Sequence, residues 1–113
     1  MRAYELMVIV DTEVDEAGVQ SVIDQIKEQI AQRSGETKSV ELWGKRRFAY
    51  EIDHKHDGTY VVFQLVGDGS HLDDFERWLR LADEIVRHKL IRLPDHEAAK
   101  RGLLAAGTPA TAG

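Results

Sequence analysis

The chain has 113 residues, the size of one domain, and its formal net charge of −5 argues against a simple binder of polyanions. It contains no cysteine, which excludes disulfides, thiolate zinc sites and a cysteine nucleophile. The longest apolar run, Leu6–Val10, is too short to span a membrane and no signal peptide is evident, so we expect a cytoplasmic protein.

The first predicted element is a strand over Arg2–Val10. One of its faces is apolar throughout and the other is apolar in part; the residues are Tyr4, Leu6, Val8 and Val10 on the first face and Met7 and Ile9 on the second. A strand that is apolar on both faces is typical of the centre of a sheet.

A helix is predicted next, because apolar residues recur at helical spacing along one stripe. The stripe consists of Val19, Val22, Ile23, Ile26 and Ile30. Asp11, Thr12 or Asp15 could cap its start. Its end is predicted at Ser34-Gly35, with Gly35 in the left-handed conformation.

Ser39–Ile52 is predicted to be a long second strand, with Gly44 marking a bulge or a close backbone approach. We expect its even-numbered residues to share one face on both sides of that glycine: Val40, Leu42, Phe48, Tyr50 and Ile52. Asp53–Gly58 is typical of a hairpin loop because of its Asp-Gly pair, and Thr59–Val66 is predicted to be the third strand.

The second helix is predicted to start at a capping box, Ser70–Asp73, and its apolar stripe is Leu72, Phe75, Leu79 and Ala82. Glu84–Leu93 is the predicted last strand. Residues 94–113 have no periodicity and predict a flexible C-terminal tail after a domain of residues 1–93. A short helix in that tail could form on a partner, at Ala98-Ala99 and Leu103-Leu104.

The element order predicts an α+β fold, the ferredoxin-like βαββαβ sandwich with a four-stranded antiparallel sheet. Each helix has a single apolar stripe, so both helices should lie on one face of the sheet. The other face is left open, and an open face with apolar and cationic side chains favours a ligand or a macromolecular partner.

No arrangement of residues typical of an enzyme is evident. Gly67-Asp68-Gly69 lacks the rest of a phosphate-binding loop, and the chain has no asparagine, which enzymes of acylphosphatase type use on this fold. His54 and His56 could hold a divalent metal ion, but a hairpin loop provides no rigid second shell. We therefore expect no enzymatic activity, no cofactor and no metal site.

Aromatic and cationic residues alternate in the segment Leu42–Ile52. Residues 1–44 hold four basic and nine acidic residues, whereas residues 45–113 hold eleven of each, so positive charge is concentrated locally in the second part. Such a segment can bind nucleic acid or protein. It can equally be an edge strand that charge protects against aggregation.

Four motifs occur in order along residues 1–93: Met1-Arg2-x-Tyr4-Glu5, the run Trp43–Ile52, Gly58-x-Tyr60, and Leu79-Arg80-Leu81 with Asp83-x-x-Val86-Arg87. With these motifs the chain resembles the bacterial small-subunit ribosomal protein S6 family. Many members have Leu in place of Phe48 and Pro in place of Glu51, and neither departure touches a cation.

The resemblance implies a structural component of the small ribosomal subunit that binds the central domain of small-subunit rRNA together with ribosomal protein S18. We expect RNA contacts from six cations: Arg2, Lys45, Arg46, Arg47, Arg87 and Arg92. For the protein partner we expect the tail and four aromatic residues: Tyr4, Trp43, Tyr50 and Tyr60. Core packing is the alternative for the three tyrosines, and Arg46 and Arg47 should point to opposite faces of their strand.

A second hypothesis comes from the fold alone. Ferredoxin-like regulatory or ligand-binding domains dimerise through the sheet and bind metabolites at the interface. Homodimerisation without RNA binding would distinguish this class from a ribosomal protein.

Overall fold

A computed structural model of the protein describes residues 1–52 and 55–103, and for residues 48–52 and 55–56 it describes the backbone alone. The elements follow in the order β1 (Arg2–Val10), α1 (Glu16–Gln32), β2 (Glu36–Ile52), β3 (Lys55–Gly67), α2 (Leu72–Leu81), β4 (Ile85–Leu93) and α3 (Asp95–Lys100). All strand pairs are antiparallel, and the sheet order is β2-β3-β1-β4. This is the predicted ferredoxin-like arrangement.

The main core lies between the sheet and the helices α1 and α2. β1 is central, as its two apolar faces predict, and its even-numbered residues from Tyr4 to Val10 are buried against both helices. The predicted apolar stripe of α1 is buried throughout, and Phe75 and Leu79 of α2 join it. Both helices therefore cover the same face of the sheet.

α1 begins and ends close to the predicted positions. The Asp15 carboxylate accepts a hydrogen bond from the Gly18 N–H at 2.8 Å, which identifies Asp15 as the N-cap. At the other end the left-handed residue is Ser34, with φ 63°, and not Gly35. Gly35 is needed for a different reason, because a Cβ there would lie 2.9 Å from Ile30 Cγ2 and 3.1 Å from the Val66 carbonyl oxygen. Glycine thus permits the helix end to approach β3.

The predicted capping box of α2 is wrong. Its N-cap is His71, which makes no side-chain capping hydrogen bond. Ser70 instead donates from Oγ to the Asp68 carboxylate at 2.6 Å, and its backbone N–H donates to the same oxygen at 2.9 Å. The Ser70 hydroxyl is the main cause of a lowered pKa at Asp68. The turn before α2 is therefore closed by Asp68.

The β2–β3 hairpin is longer than predicted. Asp57 and Gly58 continue the ladder opposite Arg47 and Arg46, and Ile52 pairs with Lys55. The Asp-Gly pair therefore lies inside β3 and does not form the turn. His54, half of the predicted metal candidate, lies outside the described residues, and so does the side chain of His56.

Part of the predicted flexible tail is folded. α3 starts directly after Pro94, and Ala98 and Leu103 are buried against Ala3, Val66 and Leu93. These three strand residues lie side by side on the sheet face opposite α1 and α2. The folded unit therefore includes residues 95–103, because this part of the tail carries enough apolar surface to cover one corner of that face.

Candidate nucleic-acid and protein interface

The sheet face opposite α1 and α2 is called the open face here, and the pairing register shows which residues belong to it. Residues directly opposite each other on neighbouring strands share a face. Starting from the residues that α3 covers, every second position of β1 and β3 lies on the open face. These positions are Ala3, Glu5, Met7 and Ile9 of β1 and Tyr60, Val62, Gln64 and Val66 of β3.

A bulge in β2 decides which of its residues reach the open face. Leu42 lies opposite Val61 of the main core, but Gly44 lies opposite Tyr60 of the open face. Trp43 is the extra residue between them, and Gly44 has φ 87°. The bulge at Gly44 was predicted correctly. The extra residue reverses the alternation for Gly44 and Arg46, so these two even-numbered residues leave the side of Val40 and Leu42. The side chains of Phe48, Tyr50 and Ile52, which were expected to continue that side, lie outside the described residues, and a second register shift separates Arg47 from Ile52.

The bulge brings three side chains of β2 together on the open face: Glu41, Trp43 and Arg46. The Trp43 indole N–H donates to the Glu41 carboxylate at 3.2 Å. The Arg46 guanidinium carbon lies over the Trp43 ring, 5.1 Å from its centroid, at a distance typical of a cation–π contact. Trp43 and Arg46 are both exposed. We call this pair the Trp43–Arg46 stack.

A second group of open-face residues comes from β4. Arg87 lies opposite Ile9, Lys89 opposite Met7 and Ile91 opposite Glu5. All three side chains are exposed. Arg46 and Arg87 thus lie toward the same end of the open face on its two edge strands. Gly44 is three strand spacings from Arg87 and Arg46 is two residues beyond Gly44, which puts the two arginines roughly 16 Å apart.

The other four predicted cations do not share this face. Lys45 and Arg47 lie opposite Thr59 and Asp57, and therefore on the other side of β2 from Arg46. Arg92 lies opposite Tyr4 of the main core and therefore on the helix side of the sheet. Arg2, which pairs with Gly67, is on the same side because it is two residues before Tyr4 in β1. The six cations therefore do not form a single patch, although Arg46 and Arg47 do alternate sides as expected.

The predicted aromatic contacts divide in a similar way. Tyr4 is only 3% exposed and packs in the main core, so its expected contact with a protein partner is corrected to core packing. Tyr60 is half-buried on the open face between Gly44 and Ile9. Trp43 is 46% exposed. The side chain of Tyr50 lies outside the described residues.

Ion pairing separates structural arginines from available ones. Arg33 joins α1 to α2 through Asp74 at 2.6 Å, and Arg101 contacts Glu5 and Glu97 at 3.2 and 2.7 Å. Arg92 lies 3.8 Å from Asp95. In contrast, five predicted cations form no ion pair with any carboxylate that the structure describes: Arg2, Lys45, Arg46, Arg47 and Arg87.

Two open-face residues were missed at the sequence level, Lys89 and Ile91. The signal that could have found them is the period of two along β4, which puts both on the side of Arg87. Among the side chains that the structure describes, no three histidine or acidic groups lie close enough together to hold a metal ion. The helices within residues 1–52 and 55–103 are also too short or too polar to cross a membrane.

Comparison with known proteins identifies the family. A family model described as ribosomal protein S6 matches residues 3–92. The chain belongs to the ribosomal protein S6 family. It is 41% identical over 92 residues to small ribosomal subunit protein bS6 of Symbiobacterium thermophilum, covering 81% of this chain and 97% of the relative. Identity to bS6 of Acidothermus cellulolyticus is 39% over 95 residues, covering 84% and 98%.

The fold agrees with a solved S6 structure. The crystal structure of 30S ribosomal protein S6 from Thermotoga maritima matches with a TM-score of 0.81 and 34% identity, covering 89% of this chain and 95% of the other. The predicted S6 resemblance and ferredoxin-like fold are thus confirmed. As an S6 protein, the chain is a structural component of the small subunit of the bacterial cytoplasmic ribosome and not an enzyme.

Proposed function

We propose that this S6 protein binds the central domain of small-subunit rRNA together with ribosomal protein S18. The observation that supports this most strongly is the cluster at one end of the open face. Arg46 and Arg87 are exposed and without a described acidic partner, and they flank Tyr60 and the Trp43 indole on one surface. Cations beside exposed aromatic rings are the usual composition of an RNA-binding surface.

The RNA contacts extend around the end of the β2–β3 hairpin. The β1–β3 ladder ends at the pair Val10 and Thr59, so Gly58 and Asp57 pair with β2 alone. This two-stranded portion carries Arg46 on one side and Arg47 on the other. Lys45, opposite Thr59 where the portion begins, lies on the side of Arg47. RNA phosphates can therefore be contacted on both of its sides. Acids more than a Debye length away, about 8 Å, do not cancel the local positive field, whereas Asp57, directly opposite Arg47, reduces it on that side.

The protein partner is proposed to cover the part of the open face that α3 leaves bare. Ile91 is 42% exposed there, and Met7 and Tyr60 are half-buried. A basic partner is favoured because residues 1–44 have an excess of five acidic residues. Of the four aromatic residues expected at this contact, Tyr60 fits it best, whereas Trp43 lies against Arg46 and belongs with the cations.

Alanine substitutions test the proposed function in a binding assay with S18 and a central-domain rRNA fragment. Arg47→Ala and Arg87→Ala should each weaken the ternary complex about tenfold or more, since one hydrogen bond to a charged group contributes about 1.5 kcal/mol or more. The melting temperature should stay nearly unchanged, because exposed arginines contribute little to folding.

Arg77→Ala is the matched control for this assay. Arg77 is an exposed arginine of α2, in the helical layer on the other side of the sheet. Equal weakening by Arg77→Ala would show that only total charge matters. Homodimerisation of the free protein without RNA retention would favour the regulatory-domain alternative.

A further inference from the structure

The geometry points to a specific kind of RNA contact: we propose that the Trp43–Arg46 stack is a platform for an unpaired nucleobase. This inference rests on the proposed function, which names the RNA but not which of its chemical groups meets this surface. It adds stacking to the phosphate contacts expected of the neighbouring cations.

The first support is the fixed orientation of the Trp43 indole. Its N–H, the one polar group of the side chain, is already donated to Glu41 at 3.2 Å. What the exposed indole can offer a ligand is therefore its aromatic surface. A ring held by a hydrogen bond is also oriented before the ligand arrives, which lowers the entropy lost on binding.

The second support is the planar group on Arg46. Its guanidinium carbon lies over the Trp43 ring, 5.1 Å from the ring centroid, so a second planar group is held beside the indole. Nucleobases in single-stranded RNA stack on aromatic rings and on guanidinium planes alike. Arg46 also has no described acidic partner that would hold it away from a base.

The charges around the stack favour a base over a phosphate at this point. The Glu41 carboxylate touches the indole and repels a phosphate placed beside it. Lys45 and Arg47, on the other side of the same strand, attract the backbone. A nucleotide meets both requirements when its uncharged base lies beside Trp43 and its phosphate is directed toward Lys45 and Arg47.

The same charges disfavour a protein partner on the stack. An apolar protein surface over Arg46 would remove the guanidinium from water without supplying an anion. RNA brings a phosphate with every nucleotide, so phosphates next to the stacked base offset the cost of desolvation without a phosphate on the stack itself. The stack and the apolar part of the open face are thus proposed to meet different partners.

Tryptophan fluorescence tests the proposal in the full-length protein. The other tryptophan, Trp78, is on α2 in the helical layer, so a Trp78→Phe background makes Trp43 the reporter. S18 is added first and the central-domain rRNA fragment second. We expect quenching of Trp43 at the second addition, because stacking on a base quenches indole emission.

Matched substitutions separate stacking from charge. Arg46→Lys keeps the positive charge but loses the plane, so it should weaken the ternary complex several-fold, whereas Arg77→Lys, in the helical layer, should have no effect. Trp43→Ala, with Trp78 intact, should weaken it roughly 5- to 100-fold, as expected for the loss of one stacked base. The slope of log Kobs against log salt should stay unchanged in both Arg46→Lys and Trp43→Ala, since no phosphate contact is lost.

Each of the following results would contradict the proposed stacking site. Quenching by S18 alone would place Trp43 in the protein interface. A ternary complex that forms with no change at Trp43 would leave the proposed function standing and remove the base contact. If Arg46→Lys binds as tightly as the unmodified protein, the plane of Arg46 has no role. Failure to form any ternary complex would remove the proposed function and the stacking site together.

Discussion

The bulge residue Trp43 and its neighbour Gly44 determine which side of β2 carries Arg46. If β2 were a regular strand without the bulge, Arg46 would lie on the same side as Leu42, toward the helices, and Arg47 would lie on the open face. The bulge needs a residue with positive φ at Gly44, where an L side chain costs about 1–2 kcal/mol. The restriction is purely conformational, since a Cβ at Gly44 would meet no atom within 4 Å.

Gly44→Ala should therefore lower the free energy of unfolding by about 1–2 kcal/mol and weaken RNA binding at the same time. The loss of RNA binding follows if the bulge shifts to relieve the strain, because Arg46 then leaves the open face. Urea unfolding and the ternary binding assay measure the two effects. Gly67→Ala is the control, since Gly67 has no positive φ and its Cβ would make an ordinary contact of 3.7 Å. A Gly67→Ala effect as large as that of Gly44→Ala would contradict this explanation.

At the scale of elements, the segment that forms α3 contains local helix signals, but residues 94–113 lack a periodic pattern and were therefore predicted to be a flexible tail. Asp95 and Glu97 lie in its first turn, Lys100 lies in its last turn, and Gly102 follows in the left-handed conformation with φ 73°. The Gly102 N–H bonds to the Ala99 carbonyl at 3.0 Å and the Leu103 N–H to the Ala98 carbonyl at 2.9 Å, which completes a Schellman motif. These signals are present in the sequence, but six helical residues are too few for a periodic pattern.

Leu103→Ala tests whether α3 is part of the folded domain. Leu103 is 6% exposed in the small core with Ala3, Val66 and Leu93, so the truncation should lower the free energy of unfolding by about 2 kcal/mol. Leu81→Ala provides the matched control, because Leu81 is 70% exposed and its loss should be nearly neutral. Chemical denaturation measures both. Equal stabilities of Leu103→Ala and the unmodified protein would mean that α3 detaches in solution.

At the scale of the whole molecule, Arg101 connects the C-terminal segment to the first strand. Its guanidinium contacts Glu97 within α3 and Glu5 of β1, on the open face. The hydrogen bond from Arg101 lowers the pKa of Glu97, and its charge adds to the effect. Because the ionised form of Glu97 is the one that the folded state favours, this pair stabilises the docked α3 above the pKa that Glu97 has in the unfolded chain.

The docking of α3 should therefore weaken in acid. The contribution of Glu97 is lost as the pH falls from its ordinary pKa of 4.5 through the lower folded value. The detachment of α3 can be followed by the hydrogen-exchange protection of the Leu103 amide, measured at about pH 6 and about pH 3. Glu97→Gln should remove most of the pH dependence. An unchanged dependence in that variant would assign the effect to other carboxylates.

Sequence patterns alone determined the family, the order and type of six elements and most of the main core. They succeed because the relevant signals are local and repeated: period two in β1, period 3.6 in α1 and α2, and four family motifs in order. Gly44 was likewise recognisable, since a glycine inside a strand pattern has few explanations.

The tertiary structure decided which surface each candidate residue reaches. The side of Arg46 depends on the register of β2 against β3, and one extra residue reverses it. The burial of Tyr4 depends on which face of β1 the two helices cover, and the folding of α3 depends on an apolar corner formed by three different strands. Such facts rest on contacts between distant parts of the chain, and no local pattern contains them.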